Sequence, residues 1–118
     1  MSETFTPRKA RAGDFPVVTR SETLLSGQNC AEMSVLGRIT ASGKLVICNS
    51  GGTDDGRRTP YGVLLEACDA SSEDKVCVVA LTGEFDENGL VFGGTDTVET
   101  HRDALRLKSI FPKTSIAA

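Results

Sequence analysis

A single histidine and four cysteines are the side chains in this sequence best suited to covalent chemistry. A nucleophilic pair would need His101 beside one of Cys30, Cys48, Cys68 and Cys77. The spacing gives such a pair no support, so we expect His101 to lie on the surface or to pack on a helix. A zinc site favours Cys-x-x-Cys, whereas the closest cysteine pair is nine residues apart. The sequence therefore predicts no enzyme, and no metal or other cofactor.

A glycine-rich loop at residues 49–60 is similar to part of a phosphate-binding loop. Gly51 and Gly56 have the Gly-x-x-x-x-Gly spacing, but Arg57 and Arg58 stand where Lys and Ser/Thr are needed. The residues that follow predict a strand, not the helix whose N-terminus would hold an anion. We interpret the loop as a long turn.

Composition indicates one aliphatic domain. The 118 residues include no Trp and have a net charge of −3, which gives no reason to expect a nucleic-acid or membrane partner. Residues 1–20 carry a net charge of +2 and the remainder −5. The sequence has no apolar run of membrane-spanning length and no signal peptide, so we expect a cytoplasmic protein with reduced thiols.

The elements that must position any site are mainly strands. Three apolar runs, Gly43–Cys48, Tyr61–Ala67 and Lys75–Thr82, predict an antiparallel ribbon. Met33–Thr40 predicts a preceding strand with a bulge or a close backbone approach at Gly37, and a short turn joins it to the ribbon. The expected fold class is mainly β.

The C-terminal part predicts a hairpin and then a helix. Asp86–Gly89 is typical of a tight turn, after which Leu90–Phe92 would resume the strand. Thr97–Ser109 predicts a short C-terminal α-helix with Thr97 or Thr100 as its N-cap. The stripe expected to pack contains Val98, His101 and Leu105.

Lys75–Thr82 is apolar on both of its faces. One face contains Val76, Val78 and Ala80, and the other Cys77, Val79 and Leu81. A domain of this size can bury one face in its core, so the other needs cover from a neighbouring subunit. Cover from the N-terminal segment or the C-terminal helix is the alternative.

Residues 1–20 predict a flexible arm, and residues 21–118 a β-rich body. The arm lacks a sustained hydrophobic period. Thr4–Thr6 and Phe15–Thr19 could each pair as a strand if a partner offered an edge. A solvated tail with two incidental Phe residues is the alternative.

Several motifs resemble the head decoration proteins of tailed bacteriophages, the lambda protein D family. The similarity covers most of the chain and begins at Glu3–Thr6. It continues through the motifs Val35–Leu45, Tyr61–Ala67, Gly83–Phe85, Leu105-Arg106 and Ile110-Phe111. The four cysteines and Phe15-Pro16 are not part of the family pattern.

The resemblance implies a β-clip-like fold and a homotrimer on the outer surface of an icosahedral head, at three-fold positions. The trimer would stabilise the expanded shell against the pressure of the DNA inside it. The implied location of the protein is the virion and, during assembly, the host cytoplasm. The arm would add a strand to the major capsid protein. The arm residues expected to bind are Thr4, Phe5, Thr6, Phe15, Val17 and Val18. The trimer contact is predicted to include Cys77, Val79 and Leu81.

Two other functions stay open from the sequence. One is a monomeric β module that binds a small ligand or a carbohydrate through the loop at residues 49–60. The other is a small hydrolase that uses His101 with a cysteine.

Overall fold

The computed structural model describes residues 17–113, which form nine strands, a 3₁₀ turn (Glu87–Gly89) and one α-helix, α1 (Val98–Leu107). This confirms the prediction of a mainly β fold with one short C-terminal helix. The strands are β1 (Thr19–Leu24), β2 (Gln28–Cys30), β3 (Val35–Arg38), β4 (Leu45–Ile47), β5 (Pro60–Leu64), β6 (Cys68–Ala70), β7 (Lys75–Ala80), β8 (Gly83–Asp86) and β9 (Ile110–Lys113).

Five strands close a barrel in the order β1-β4-β3-β5-β7. β1 runs parallel to β4, and the other pairs are antiparallel. The predicted ribbon is therefore wrong in its order, because β3 lies between β4 and β5. The hairpin from β3 to β4 is confirmed. β2 and β6 form a separate two-stranded sheet.

Two hydrophobic clusters lie on opposite sides of the barrel wall. Each of the five barrel strands contributes to the first cluster, which therefore fills the interior; its members include Leu24, Leu36, Leu45, Leu64, Cys77 and Val79. The second cluster lies outside, where α1, β8 and β9 cover one side of the wall; it includes Val35, Val63, Ala80, Phe85, Leu105 and Ile110. A strand that lies between two apolar layers has apolar side chains on both of its faces.

The predicted hairpin at Asp86–Gly89 is wrong. The side chain of Asp86 accepts a hydrogen bond from Asn88 N at 2.9 Å and begins the 3₁₀ turn. β8 instead pairs in parallel with β9, which arrives from the end of the helix. In the strand predicted at Leu90–Phe92, only Val91 pairs, through an isolated bridge to Ser34.

Helix α1 agrees with its prediction. Thr97 is the N-cap, and its backbone N donates to Thr100 Oγ1 at 3.1 Å. His101 and Leu105 are buried, and Val98 packs against the second cluster.

Gly37 lies where the loop at residues 49–60 crosses β3. The pairing between β3 and β5 shifts register beside this glycine. A Cβ atom at Gly37 would lie 2.6 Å from Arg57 O and 2.7 Å from Arg57 Cα. The close backbone approach, one of the two alternatives that the sequence predicted at Gly37, is therefore present, and the register shift beside it leaves Tyr61 on β5 unpaired.

We expect Gly37→Ala to lower the free energy of unfolding by about 1–3 kcal/mol, because the methyl group must displace backbone. Thermal or urea unfolding of the purified chain measures this. Gly89→Ala is the matched control, since no heavy atom lies within 4 Å of a Cβ at Gly89; its effect should stay within about 0.5 kcal/mol. Equal stability of the two variants would contradict the close packing at Gly37.

Candidate functional site

The arm residues predicted to bind a partner fall into two groups. Thr4, Phe5, Thr6 and Phe15 lie outside the described residues. Val17 and Val18, which we call the arm root, lie directly before β1. Val17 is half-buried and packs against the second hydrophobic cluster, whereas Val18 is 50% exposed.

The arm root is fixed to the segment that links β7 and β8. Val18 O accepts a hydrogen bond from Leu81 N at 2.6 Å. Val18 N donates to Thr82 Oγ1 at 3.1 Å. β1 then continues this pairing along β7 from Thr19 to Leu24. Residue 20, where the sequence predicted the boundary between arm and body, therefore lies inside β1.

Gly83 makes room for the arm root. A Cβ at this position would lie 3.1 Å from Val17 Cγ2 and 3.1 Å from Phe85 Cε2. Its φ of +143° is also one that side chains with a Cβ rarely adopt. A glycine here lets Val17 lie directly on the β8 backbone.

The two faces of β7 have different surroundings. Cys77 and Val79 are buried in the barrel interior, and Leu81 packs against the same cluster. On the outer face Ala80 is covered by the second cluster, but Val76 is 73% exposed and Val78 is 38% exposed. The residues predicted for a trimer contact thus face the interior of their own chain. The uncovered apolar side chains of this strand are Val76 and Val78.

A polar cluster, buried at His101 and Cys48, joins α1 to the loop that follows β4. His101 Nε2 lies 2.6 Å from Asp96 Oδ2 and 3.7 Å from Cys48 Sγ. Ser50 donates to the Asp96 carboxylate from its backbone N at 2.6 Å and from Oγ at 2.7 Å. The imidazole stacks on Phe92, with ring centroids 5.2 Å apart.

This cluster contains the residue types of a nucleophilic triad but lacks its geometry. In such a triad the carboxylate and the nucleophile contact different ring nitrogens of the histidine. Here Asp96 and Cys48 both contact Nε2. Burial, together with the nearby Asp96 charge, raises the pKa of the Cys48 thiol to about 12, so no reactive thiolate forms near neutral pH. The arrangement is suited to holding the helix against the barrel.

The sequence anticipated His101 as a helix-packing residue and missed its partners. Asp96 immediately precedes the N-cap Thr97, and His101 lies one turn into the helix. An acidic residue directly before an N-cap, with a histidine five residues later, was the local signal that could have indicated this pair. Cys48 has no comparable signal, because only the fold brings it to the helix.

The loop at residues 49–60 pairs its own charges. Arg57 Nε and Nη2 donate to the Asp55 carboxylate at 3.0 and 2.9 Å. The hydrogen bond from Arg57 lowers the pKa of Asp55. Arg58 Nε donates to Gly52 O at 2.9 Å. A strand and not a helix follows at Pro60, which confirms the interpretation as a long turn.

Residues 17–113 contain neither a grouping of metal ligands nor a membrane-spanning helix. Within that range no three His, Cys, Asp or Glu side chains are grouped so that they could hold a metal ion. In the same part of the chain no helix has both the length and the apolar character needed to cross a membrane.

Comparison with known proteins identifies the family. The family model described as bacteriophage lambda head decoration protein D matches residues 11–109. The chain therefore belongs to this family, whose members are structural proteins of the phage capsid. Its function is capsid decoration, and its location is the virion. The match does not include Thr4, Phe5 and Thr6. No curated protein matches the chain.

The charge on Asp96 gives stability a defined pH dependence. Burial by itself would raise the pKa of Asp96, but hydrogen bonds from Ser50 and His101 outweigh it and hold that pKa below its usual value. A carboxyl group with a lowered pKa in the folded state stabilises the fold above its unfolded pKa, which is about 3.9. This contribution is lost as the pH falls through the lower pKa of the folded state.

We expect Asp96→Asn to lower the free energy of unfolding at pH 7 by roughly 1–3 kcal/mol, because the charge-assisted hydrogen bonds are lost. The difference from wild type should shrink as the pH falls below about 4. Asp103→Asn, on the exposed side of α1, is the control and should change stability by less than about 0.5 kcal/mol. Urea unfolding at several pH values tests this, and a difference independent of pH would contradict it.

Proposed function

We propose that the chain binds the outer surface of the expanded phage head as a homotrimer at three-fold sites and stabilises the shell against the pressure of packaged DNA. The observation that carries this proposal is the family match over residues 11–109, most of the chain. The structure supports it with a closed barrel from which the N-terminal segment departs at a fixed point. A capsid decoration protein needs a body that stands on the capsid surface and an attachment that reaches into the capsid.

The proposed attachment is strand addition by the arm. An extended segment gains affinity from main-chain hydrogen bonds and selectivity from alternate side chains. Thr4, Phe5 and Thr6 offer one such segment, with Phe5 between two β-branched residues, and Phe15 offers a second anchor. Val17 packs against its own body and Val18 hydrogen-bonds to it, so we assign them the role of holding the arm in place. The partner would be the major capsid protein.

The proposed trimer contact is the uncovered part of the β7 outer face. Val76 and Val78 project from a strand that pairs with β1 along its whole length and with β5 at Val79 and Ala80. Opposite them on β1 lie Thr23 and Ser21, which are small and uncharged. A rigid apolar pair with small neighbours can be packed against a second copy at little cost in side-chain entropy. Three arms held by one trimer would then bind as a multivalent ligand.

Deletion of residues 1–16 tests the arm. We expect the truncated chain to keep its thermal midpoint and its far-UV circular dichroism, because the bonds that fix the body begin at Val18 and β1. Co-sedimentation with expanded capsids should weaken by at least roughly tenfold, since strand addition and avidity are both lost. In the full chain, Phe5→Ala and Phe15→Ala show which segment binds. Unimpaired capsid binding after the deletion would refute the proposal that the arm binds the capsid.

Val76→Asp tests the trimer contact. Val76 is 73% exposed in the single chain, so the substitution should leave folding intact. In an apolar subunit contact, a buried and unpaired carboxylate in each copy should reduce the trimer to monomer. Leu107→Asp is the control, because Leu107 on α1 is 86% exposed. Light scattering measures the mass, and a variant that keeps the trimer mass would exclude this face.

A further inference from the structure

The structure brings two of the four cysteines into direct register. Cys30 at the end of β2 is the antiparallel partner of Cys68 at the start of β6. Both belong to the barrel-interior cluster, Cys30 as a buried member and Cys68 packed against it. Their side chains therefore lie on the same face of the two-stranded sheet. Neither thiol has a role in the arm, in the trimer contact or in the polar cluster at His101.

This register matches the requirement for a disulfide. Residues directly opposite each other in an antiparallel pair have Cα atoms about 4.5–5.5 Å apart, whichever of the two pairing types they occupy. Disulfides form between Cα atoms roughly 4.4–6.8 Å apart. The register therefore places Cys30 and Cys68 within the Cα separation that a disulfide requires.

We propose that Cys30 and Cys68 are a redox modification site, which a disulfide oxidant such as oxidised glutathione converts into a cross-strand disulfide between β2 and β6. Head proteins leave the cell in the virion, and thiols that stay reduced inside a cell meet oxidising conditions outside it. The proposal concerns the body of the protein and does not depend on how the arm binds.

The exposure of the four thiols sets the order of the reaction. Cys68 is partly exposed, whereas Cys30, Cys48 and Cys77 are buried. Burial raises the pKa of Cys30, and it raises the pKa of Cys77 to about 11. The Cys68 thiolate attacks oxidised glutathione, breaks its S–S bond and releases one glutathione thiolate. Cys30 loses its proton, attacks the Cys68 sulfur of the mixed disulfide and releases the second. Two protein thiols are oxidised, and one glutathione disulfide is reduced to two thiols.

Cys77 is the competing thiol, because it lies in the same cluster. It belongs to β7, where its register partner is Glu22 on β1. β7 pairs with β1 and β5 and not with β2 or β6. Only Cys30 and Cys68, among the four, are opposed across a pair of strands.

The disulfide would enclose the part of the chain that contains β3, β4 and β5, three of the five barrel strands. A link across so long a segment restricts the unfolded chain and should slow or oppose unfolding of the barrel. The expected effect is a rise in the thermal midpoint, reversed by dithiothreitol.

The test treats the folded full-length chain with oxidised glutathione and maps the product with trypsin. Lys and Arg positions place the four cysteines in four different peptides, residues 21–38, 45–57, 59–75 and 76–102. We expect peptide 21–38 joined to peptide 59–75, and an intact mass lower by two hydrogens. The thermal midpoint should rise by roughly 5–15 °C.

Two variants complete the test. Cys77→Ala removes the competing thiol and should keep the link, whereas Cys68→Ala should abolish both the link and the rise in midpoint. Mapping of the wild-type chain decides the matter even if a variant folds poorly. A link through Cys77 or Cys48, a glutathione adduct that persists at Cys68, or four thiols left free would each overturn the proposal.

Discussion

Six residues of β1 pair with six residues of β7, and this pairing closes the barrel. Without it the sheet would have two open edges, and open edges favour pairing with other chains. The same pairing extends through Val18 to Leu81 and Thr82, so the arm root is a continuation of the barrel wall. Hydrogen bonds in an antiparallel pair run perpendicular to the strands. A pull along β1 therefore loads all of these bonds together, which suits a strand that connects the body to an attachment.

Closure of the barrel also explains why so small a domain needs strands that are apolar on both sides. The interior takes one side chain or more from each strand, and α1 with β8 and β9 covers part of the outside. The cover ends before Val78 on β7. The chain thus concentrates the uncovered apolar surface of this strand at one end, next to small polar residues of β1, and leaves the remainder of the strand fully packed.

Local pattern located four of the barrel strands and the helix but could not order the strands. The runs that became β3, β4, β5 and β7 were recognised, as were the close backbone approach at Gly37 and the buried stripe of α1. Strand order failed because the pairing of β3 with β5 joins segments that are distant in sequence. Asn88-Gly89 is a hairpin signal, but the Asp86 side chain begins a 3₁₀ turn there, and β8 pairs with β9. The alternation of residues along β7 separated its two faces but did not show which face lies inside a barrel. The Cys48 contact needed the fold itself.

In the His101 cluster, residue types that are often reactive hold a helix in place. Asp96 and His101 tie α1 to the loop after β4, and the helix in turn covers the barrel wall beneath the arm root. In the proposed trimer each arm would start from a fixed point. Once the first arm has bound, the distance that the second and third arms must span would therefore be set. Effective concentration falls as a tether lengthens beyond the span it must bridge. A loose root would add Val17 to Leu24 to each tether. If the proposed arm binds the head, the packing that holds β1 in the wall would therefore contribute to affinity for the head without contacting it.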